Sequence, residues 1–353
     1  MQCGFACLEA GAVRSKNTTN IIMKNIMDIC IIYPPISHWV WSEIGWLNQL
    51  GYIDFSGCGP VHLLGGVCSF FGAVFLGPRL GRFRSKYDSE KEEIVGHSIP
   101  LVGIGGMILI TGFLAFNGGS LGTMTNPGDG EIIARVISNT VLGGTGGGIT
   151  ILLATKIGLF GPATWNFSMT LNCALIGMVS VCAGVNNMAM WASFLCGVTA
   201  GPVYMLIHYA MLWCKVDDPL DAVAVHFGGG LWGLIAASLF ANNGFVFGVT
   251  HESAMVHLSS QNDRRRCYHS VGVSRVLHHV RDTESLGKLR VSEEDERRGL
   301  DIAMHNEPGY HPMGWKTYPA LGSRKSSVNI SVLPTLDSSL TTKKHRSEYE
   351  TKL

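Results

Sequence analysis

Residues 55–78 read FSGCGPVHLLGGVCSFFGAVFLGP, a stretch with no acidic or basic side chain apart from one histidine. Comparable runs without Asp, Glu, Lys or Arg occupy residues 98–127, 136–155, 157–214 and 222–251. A helix rises about 1.5 Å per residue, so about 20 apolar residues cross roughly 30 Å of hydrocarbon, and each run holds at least one such length. The longest divides near AGVNNMAMW, residues 183–191. The pattern predicts six membrane spans, at about 61–80, 98–120, 135–156, 167–186, 190–213 and 221–241. Two weaker segments precede them: residues 1–13, too short to span alone, and a composite near 19–47. The predicted fold class is therefore all-α, a polytopic membrane helical bundle.

Average composition hides this division. The 353 residues carry a net charge of +1, and of the 53 charged side chains 29 fall in residues 252–353 and 24 in the first 251. The first part is built for lipid and the rest for water. The chain opens inside an apolar stretch with no basic leader, so no signal peptide is expected and the start reads as truncated. The ten cysteines lie mostly within spans and form no CxxC pair, which suggests neither a zinc site nor a disulfide framework. No cofactor and no nucleic-acid partner are expected.

Basic residues gather at Arg14, Lys16 and Lys24, at 79–91, and at Lys156 and Lys215, whereas the intervening loops carry SEIGW and NPGDGE. By the positive-inside rule residues 79–93 face the cytoplasm, which sets alternating orientations for the spans around them. Glycines in LGGTGGGIT, residues 142–150, stand four apart at Gly143/Gly147 and Gly144/Gly148. Small residues at that spacing let membrane helices approach closely. A phosphate-cradling loop would need the Lys-Ser/Thr that this run lacks.

Two histidines interrupt the apolar pattern in matching ways. His62 and His226 each follow a proline at the start of a span, with Gly65 and Gly66 after the first and Gly228 to Gly230 after the second. Before His226, Asp218 is a plausible N-cap, Pro219 suits the first helical position, and Asp221 falls in the first turn. A lone buried histidine is commonly a satisfied core residue. A matched pair in two spans points instead to a pathway, because ionisable residues inside membranes face cavities or each other. Facing imidazoles can share a proton while staying neutral overall. Trp41, in SHWVWSEIGW, is either an interfacial anchor or a face-on cation site. Phe116, followed by Asn117 and Ser120, is either core packing or a gate. A membrane enzyme with histidine-held metal is the rival class, but the chain has no HExxH and no carboxylate cluster.

Seven segments, QCGFACLEAGAVRSKNTTNI, HWVWS, IDFSGCGPVHLLGG, LGPRLGRF, FNGGS, DDPLDAVAVH and RVSEEDERRGLD, resemble the ammonium transporters of the Amt/Mep/Rh superfamily, closest to the Amt branch. The resemblance implies a non-enzymatic, multi-pass protein of the plasma membrane, a homotrimer or a trimer with related subunits, with an ammonium/NH₃ pore in each protomer. It places Trp41 and Ser120 at a recruitment site supported by Asp54, Phe116 at the second phenylalanine of a gate, and His62 and His226 at a twin-histidine pair. Asp221 takes the place of a helix-cap support before the second histidine.

The chain also departs from that pattern. It has room for about eight of eleven spans, because residues 15–31 resemble the start of the family's second span and residues 32–42 the end of its fourth. The lost stretch includes the gate's first phenylalanine, for which no residue stands here. Where an eleventh span is expected, residues 252–286 are polar and include Arg264, Arg265 and Arg266 in a row. The expected organisation is an incomplete transporter domain at 1–251, a divergent polar segment at 252–286, and a cytoplasmic-type, largely disordered tail at 287–353. With one crossing lost, the tail is expected to emerge on the outer face unless the last helix fails to insert. The expected function is ammonium/NH₃ transport. Its alternative is a truncated, non-conducting relative that assembles with intact subunits and modulates them.

Overall fold

A computed structural model describes residues 1–17, 33–83, 94, 96–242, 244–247, 290–306 and 309. These belong to one compact unit, Met1–Trp315; a second unit, Lys316–Leu353, lies outside them. The first half of the composite segment and the whole of residues 252–286 also fall outside the described residues.

The described residues are helical, with no strand among them. Apart from the one-turn helix Trp46–Gln49, the α-helices among the described residues are, in chain order, α1 (Gln2–Ala12), α2 (Tyr33–Trp41), α3 (Leu64–Leu76), α4 (Ile99–Gly119), α5 (Asp129–Lys156), α6 (Phe167–Val181), α7 (Met190–Trp213), α8 (Gly229–Phe240), α9 (Glu293–Arg298) and α10 (Leu300–His305). Among the described residues five segments are long and apolar enough to cross a membrane: Cys58–Leu76, Ile99–Gly119, Asp129–Lys156, Met190–Trp213 and Val223–Phe240. All six predicted spans are present as helices, and the differences lie at their ends. α5 starts six residues before its predicted bound because Asp129 and Glu131 sit in its first turn, where the helix dipole favours negative charge. α6 has 15 residues, not 20, because the apolar run continues through a buried turn at 182–185 after the helix has stopped. α3 stops at Leu76 because Gly77 adopts a left-handed φ of 70° and Pro78 follows. α4 and α6 start at side-chain caps, Ser98 accepting from Leu101 N–H and Asn166 from Met169 N–H.

Close backbone approach organises the bundle. α5 lies against both α6 and α7, and a Cβ at Gly147 would stand 2.1 Å from the Cys173 carbonyl oxygen. The spacing-four glycines therefore serve helix contact, as their pattern predicts. The same device joins the two histidine-bearing segments. A Cβ at Gly66 would meet the Phe227 nitrogen at 2.1 Å, and one at Gly230 would meet the Cys58 carbonyl and the Leu63 nitrogen at 2.6 Å. Each glycine stands four residues after its histidine and packs on the residue just after the other histidine.

Arg79 and Arg82 mark one end of the bundle. Asp217, buried at 7% exposure, accepts from the Arg79 backbone N–H at 2.9 Å, from Arg79 Nε at 2.7 Å and from Arg82 Nε at 3.3 Å. Burial works to raise its carboxyl, but the Arg79 hydrogen bonds outweigh this and hold it below the ordinary carboxylate value. The stretch from Arg290 also docks at this end. Arg290 donates to the carbonyls of Leu76 and Pro78 at 2.6 and 2.9 Å, Leu80 N–H donates to Glu296 at 2.7 Å, and Leu300 N–H donates to Asn17 at 3.1 Å. The tail's described part is thus helical and sits at the Arg79 end. The guanidinium satisfies carbonyls that the end of α3 leaves open, which accounts for the docking.

Two outcomes follow. Gly230→Ala forces backbone apart at the crossing and lowers stability by roughly 1–3 kcal/mol, whereas Gly72→Ala, with open space at its Cβ, is neutral or gains up to about 1 kcal/mol; thermal unfolding in detergent separates them. Asp217→Ala costs about 2–3 kcal/mol, below the range for a fully buried pair because water reaches Arg79. Because the folded carboxyl titrates below its unfolded value, this contribution is complete above about pH 4 and fades as pH falls through the depressed folded value; the difference between wild type and variant across an acid titration measures it.

Candidate functional site

Each histidine sits on a widened helical turn at the start of its span. Cys58–Leu63 and Val223–Gly228 form π-helical turns that lead into α3 and α8. A helix start leaves N–H groups without partners, and here a carboxylate meets them, buried at the first turn and half-buried at the second. Asp54 accepts from the N–H groups of Gly57, Cys58 and Gly59 at 2.7, 3.0 and 2.7 Å, with the Tyr52 hydroxyl at 3.4 Å. Gly57 supports the loop with φ 96°. Asp218 accepts from Ala222 and Val223 N–H at 3.1 and 2.8 Å. In both cases the histidine stands eight residues after the aspartate. Burial pushes the Asp54 carboxyl up against these backbone donors, and likewise raises Asp218 to about 6.

The cap at the second histidine is Asp218, the N-cap that the sequence pattern offers, and not Asp221, for which the resemblance implies a helix-cap support. Asp221 has a left-handed φ of 56°, and its carboxylate turns away from the helix start. It accepts from His208 Nδ1 and the Tyr204 hydroxyl, both at 2.6 Å, and from Asn172 Nδ2 at 3.2 Å. That left-handed residue directs the carboxylate to α6 and α7, so proximity in sequence to the helix start was a poor guide.

The two imidazoles meet. His62 Nδ1 and His226 Nδ1 are 3.2 Å apart, with the rings nearly coplanar in orientation at 5° and centroids 5.4 Å apart. One nitrogen must donate and the other accept, so a single proton lies between them. His62 is 2% exposed and His226 is half-buried. Aromatic rings enclose the pair. Phe113 stacks on His62 at 5.5 Å, Phe116 stands edge-on to it at 6.1 Å, and Phe5 lies 5.7 Å from His226. The Cys182 sulfur is 3.8 Å from His62 Nε2 and donates to Asn117 Oδ1 at 3.3 Å.

Trp41 donates from Nε1 to the Asp54 carbonyl at 2.8 Å, which ties its indole to the loop that holds the first cap. Its side of the bundle is the end away from Arg79. Ser120, one helical turn after Phe116, donates to the Phe116 carbonyl at 2.8 Å. Among the described residues no hydrogen bond joins Ser120 to Trp41 or Asp54. The structure thus brings His62, His226 and Phe116 into one cluster, fastens Trp41 to Asp54, and leaves Ser120 joined to the group through Phe116.

Phe113, Phe5 and Cys182 escaped the sequence reading. Phe113 was discernible as the residue three before Phe116, on the same helix face. Phe5 and Cys182 come from segments distant in sequence and carry no local signal. Among the described residues no group of three or more His, Cys, Asp or Glu could hold a metal ion.

The family model described as Ammonium Transporter Family matches residues 1–33 and 29–310. The two matched segments meet where residues 15–31 and 32–42 read as joined halves of different spans. The chain is 33% identical to "Putative ammonium transporter 1" of Caenorhabditis elegans over 421 residues, covering 90% of this chain and 78% of the relative. That alignment is longer than the chain, so it passes over stretches of the relative with no counterpart here. Identity to "Ammonium transporter 1 member 3" of Solanum lycopersicum is 32%, over 88% of this chain and 74% of that one. Among solved structures, "Sensor Amt Protein" superposes with a TM-score of 0.75 at 23% identity, over 86% of this chain and 94% of that one. Mep2 of Saccharomyces cerevisiae gives 0.64 at 24% identity, over 82% and 64%. At these identities the two structures establish likeness of fold.

Removing either cap separates its role from that of Asp221. Asp54→Ala and Asp218→Ala each leave buried N–H groups unpaired and cost roughly 2–4 kcal/mol, while Asp221→Ala leaves both π turns capped; hydrogen exchange of the backbone at 57–59 and 222–223 distinguishes the three variants.

Proposed function

The chain belongs to the ammonium transporter family, and on that premise we propose that it carries ammonium across the membrane through a pore centred on His62 and His226. The observation that carries this reading is the 3.2 Å approach of two Nδ1 atoms inside an aromatic enclosure. Ammonium is recruited at the end marked by Trp41, whose ring attracts a cation by about 1–2 kcal/mol once desolvated, with the Asp54-held loop beside it and Ser120 on the way to Phe116. It passes Phe116 and gives up a proton at the imidazole pair. Ammonia then continues through the apolar passage.

Selectivity follows from the cost of burying charge. A bare cation in an apolar channel loses far more hydration than the walls return. Ammonium escapes that cost by deprotonation, whereas Na⁺ and K⁺ have no proton to give. Phe113 supplies a second ring against His62, on the side of Phe116, where the sequence offered no first gate residue. The protein is multi-pass, and we place it in the plasma membrane as a homotrimer or in trimers with related subunits, by likeness to its family.

A second reading is favoured by the two-part family match and by the open space at Gly65 and Gly72 on α3. In it the chain lacks helices needed to wall the pore, and enters trimers without conducting, lowering the activity of intact subunits. Expression in cells that lack their own ammonium transporters decides between them. Transport predicts growth on limiting ammonium and methylammonium uptake, reduced at least tenfold by His62→Ala at equal surface level. No uptake at normal surface level, together with suppression of a co-expressed intact relative, supports the second reading.

A further inference from the structure

The cluster around Asp221 lies outside the paired-histidine site and has the parts of a proton-exchange station. His208 on α7 donates from Nδ1 to Asp221, which fixes the tautomer and leaves Nε2 as the basic nitrogen of the neutral ring. Nε2 has no hydrogen-bond partner among the described residues. Tyr204 and Asn172 complete the carboxylate's contacts from α7 and α6. Tyr204 is fully buried and its ring stacks on His208 at 5.8 Å, so the imidazole is held on one face as well as at one nitrogen. The side chains of His208 and Asp221 are each 21% exposed, so water reaches them.

They line a cavity of about 160 Å³ at the Arg79 end, together with Asp218, Arg79 and Arg82. Asp221 precedes His226 by five residues, on the segment that leads into the second π turn. Asp221 holds a left-handed conformation with φ 56°, uncommon for a residue with a Cβ. The charged and titratable groups facing His208 are Asp221, Asp218, Arg82, Tyr204 and Tyr209, with Cys173 beyond Asp221.

We propose that the His208–Asp221 pair is the inner proton acceptor of the pore, taking the proton left on the His62–His226 pair and releasing it to the cavity. The inference rests on the pore reading above. The transfer runs over intervening water: an N–H bond of the imidazolium at the pair breaks and its electrons stay on nitrogen, while a water proton forms a new N–H bond at His208 Nε2. Asp221 balances the resulting imidazolium. Loss of that Nε2 proton to water in the cavity resets the pair, so one proton and one ammonia cross for each ammonium that enters.

The full chain in proteoliposomes, with ammonium chloride as probe and transient current as readout, tests this. His208→Gln and Asp221→Asn are expected to lower the ammonium-driven current at least tenfold and to flatten its dependence on inner pH, with thermal unfolding of His208→Gln unchanged. Millimolar imidazole on the inner side is expected to restore current to His208→Ala. Wild-type current with an unchanged inner-pH profile in His208→Gln overturns the proposal. So does a reduced current that keeps its pH profile and ignores imidazole, since that is a structural role. A wild-type chain without ammonium-driven current that still binds into trimers overturns the pore reading itself, and the relay falls with it.

Discussion

The close crossing of the two histidine-bearing segments is the constraint on which the rest depends. His62 Nδ1 and His226 Nδ1, 164 residues apart in sequence, stand 3.2 Å apart where the two backbones come nearer than a Cβ would allow. Gly66 and Gly230 provide that approach, each lying on the other segment beside its histidine. The widened turns then aim both rings at the crossing, and the aspartates satisfy the N–H groups those turns expose. Caps, turns and glycines are therefore parts of one solution to placing two imidazoles in an apolar interior.

Much of this was visible in the sequence, for a physical reason. Lipid demands long uncharged runs, so the six spans stood out, and the paired histidines were conspicuous because almost nothing else polar interrupts those runs. The resemblance to ammonium transporters rested on motifs at these same places, and the family match agrees with it. Helix ends were harder to read. Apolar composition continues through the buried turn after Val181, and charge enters α5 at Asp129 and Glu131 without ending it.

Other features were invisible to local pattern. The pattern DDP in VDDPLDAVAVH marks Asp218 as the cap, but nothing in it shows that Asp221 is left-handed and turns its carboxylate to α6 and α7. Phe5 and Cys182 reach the histidines through tertiary packing alone. Docking of Arg290 on the end of α3 depends on carbonyls at Leu76 and Pro78, which no side-chain pattern advertises. Sequence periodicity reports which face of a helix is apolar; it does not report which of two carboxylates turns toward which donor.

Aspartate, histidine and glycine recur at Asp54, His62 and Gly66 and again at Asp218, His226 and Gly230, with the same spacing of eight and four, on segments that cross antiparallel, Gly66 against Phe227 and Gly230 against Leu63. Inverted repeats of this kind relate two halves of a membrane protein by a half-turn in the membrane plane. A centre built this way looks the same from both sides, and so it carries no arrow. Direction has to be written in what the half-turn does not map: the phenylalanines of α4 toward one end, and the ring of Phe5 with the Asp221 cluster toward the other.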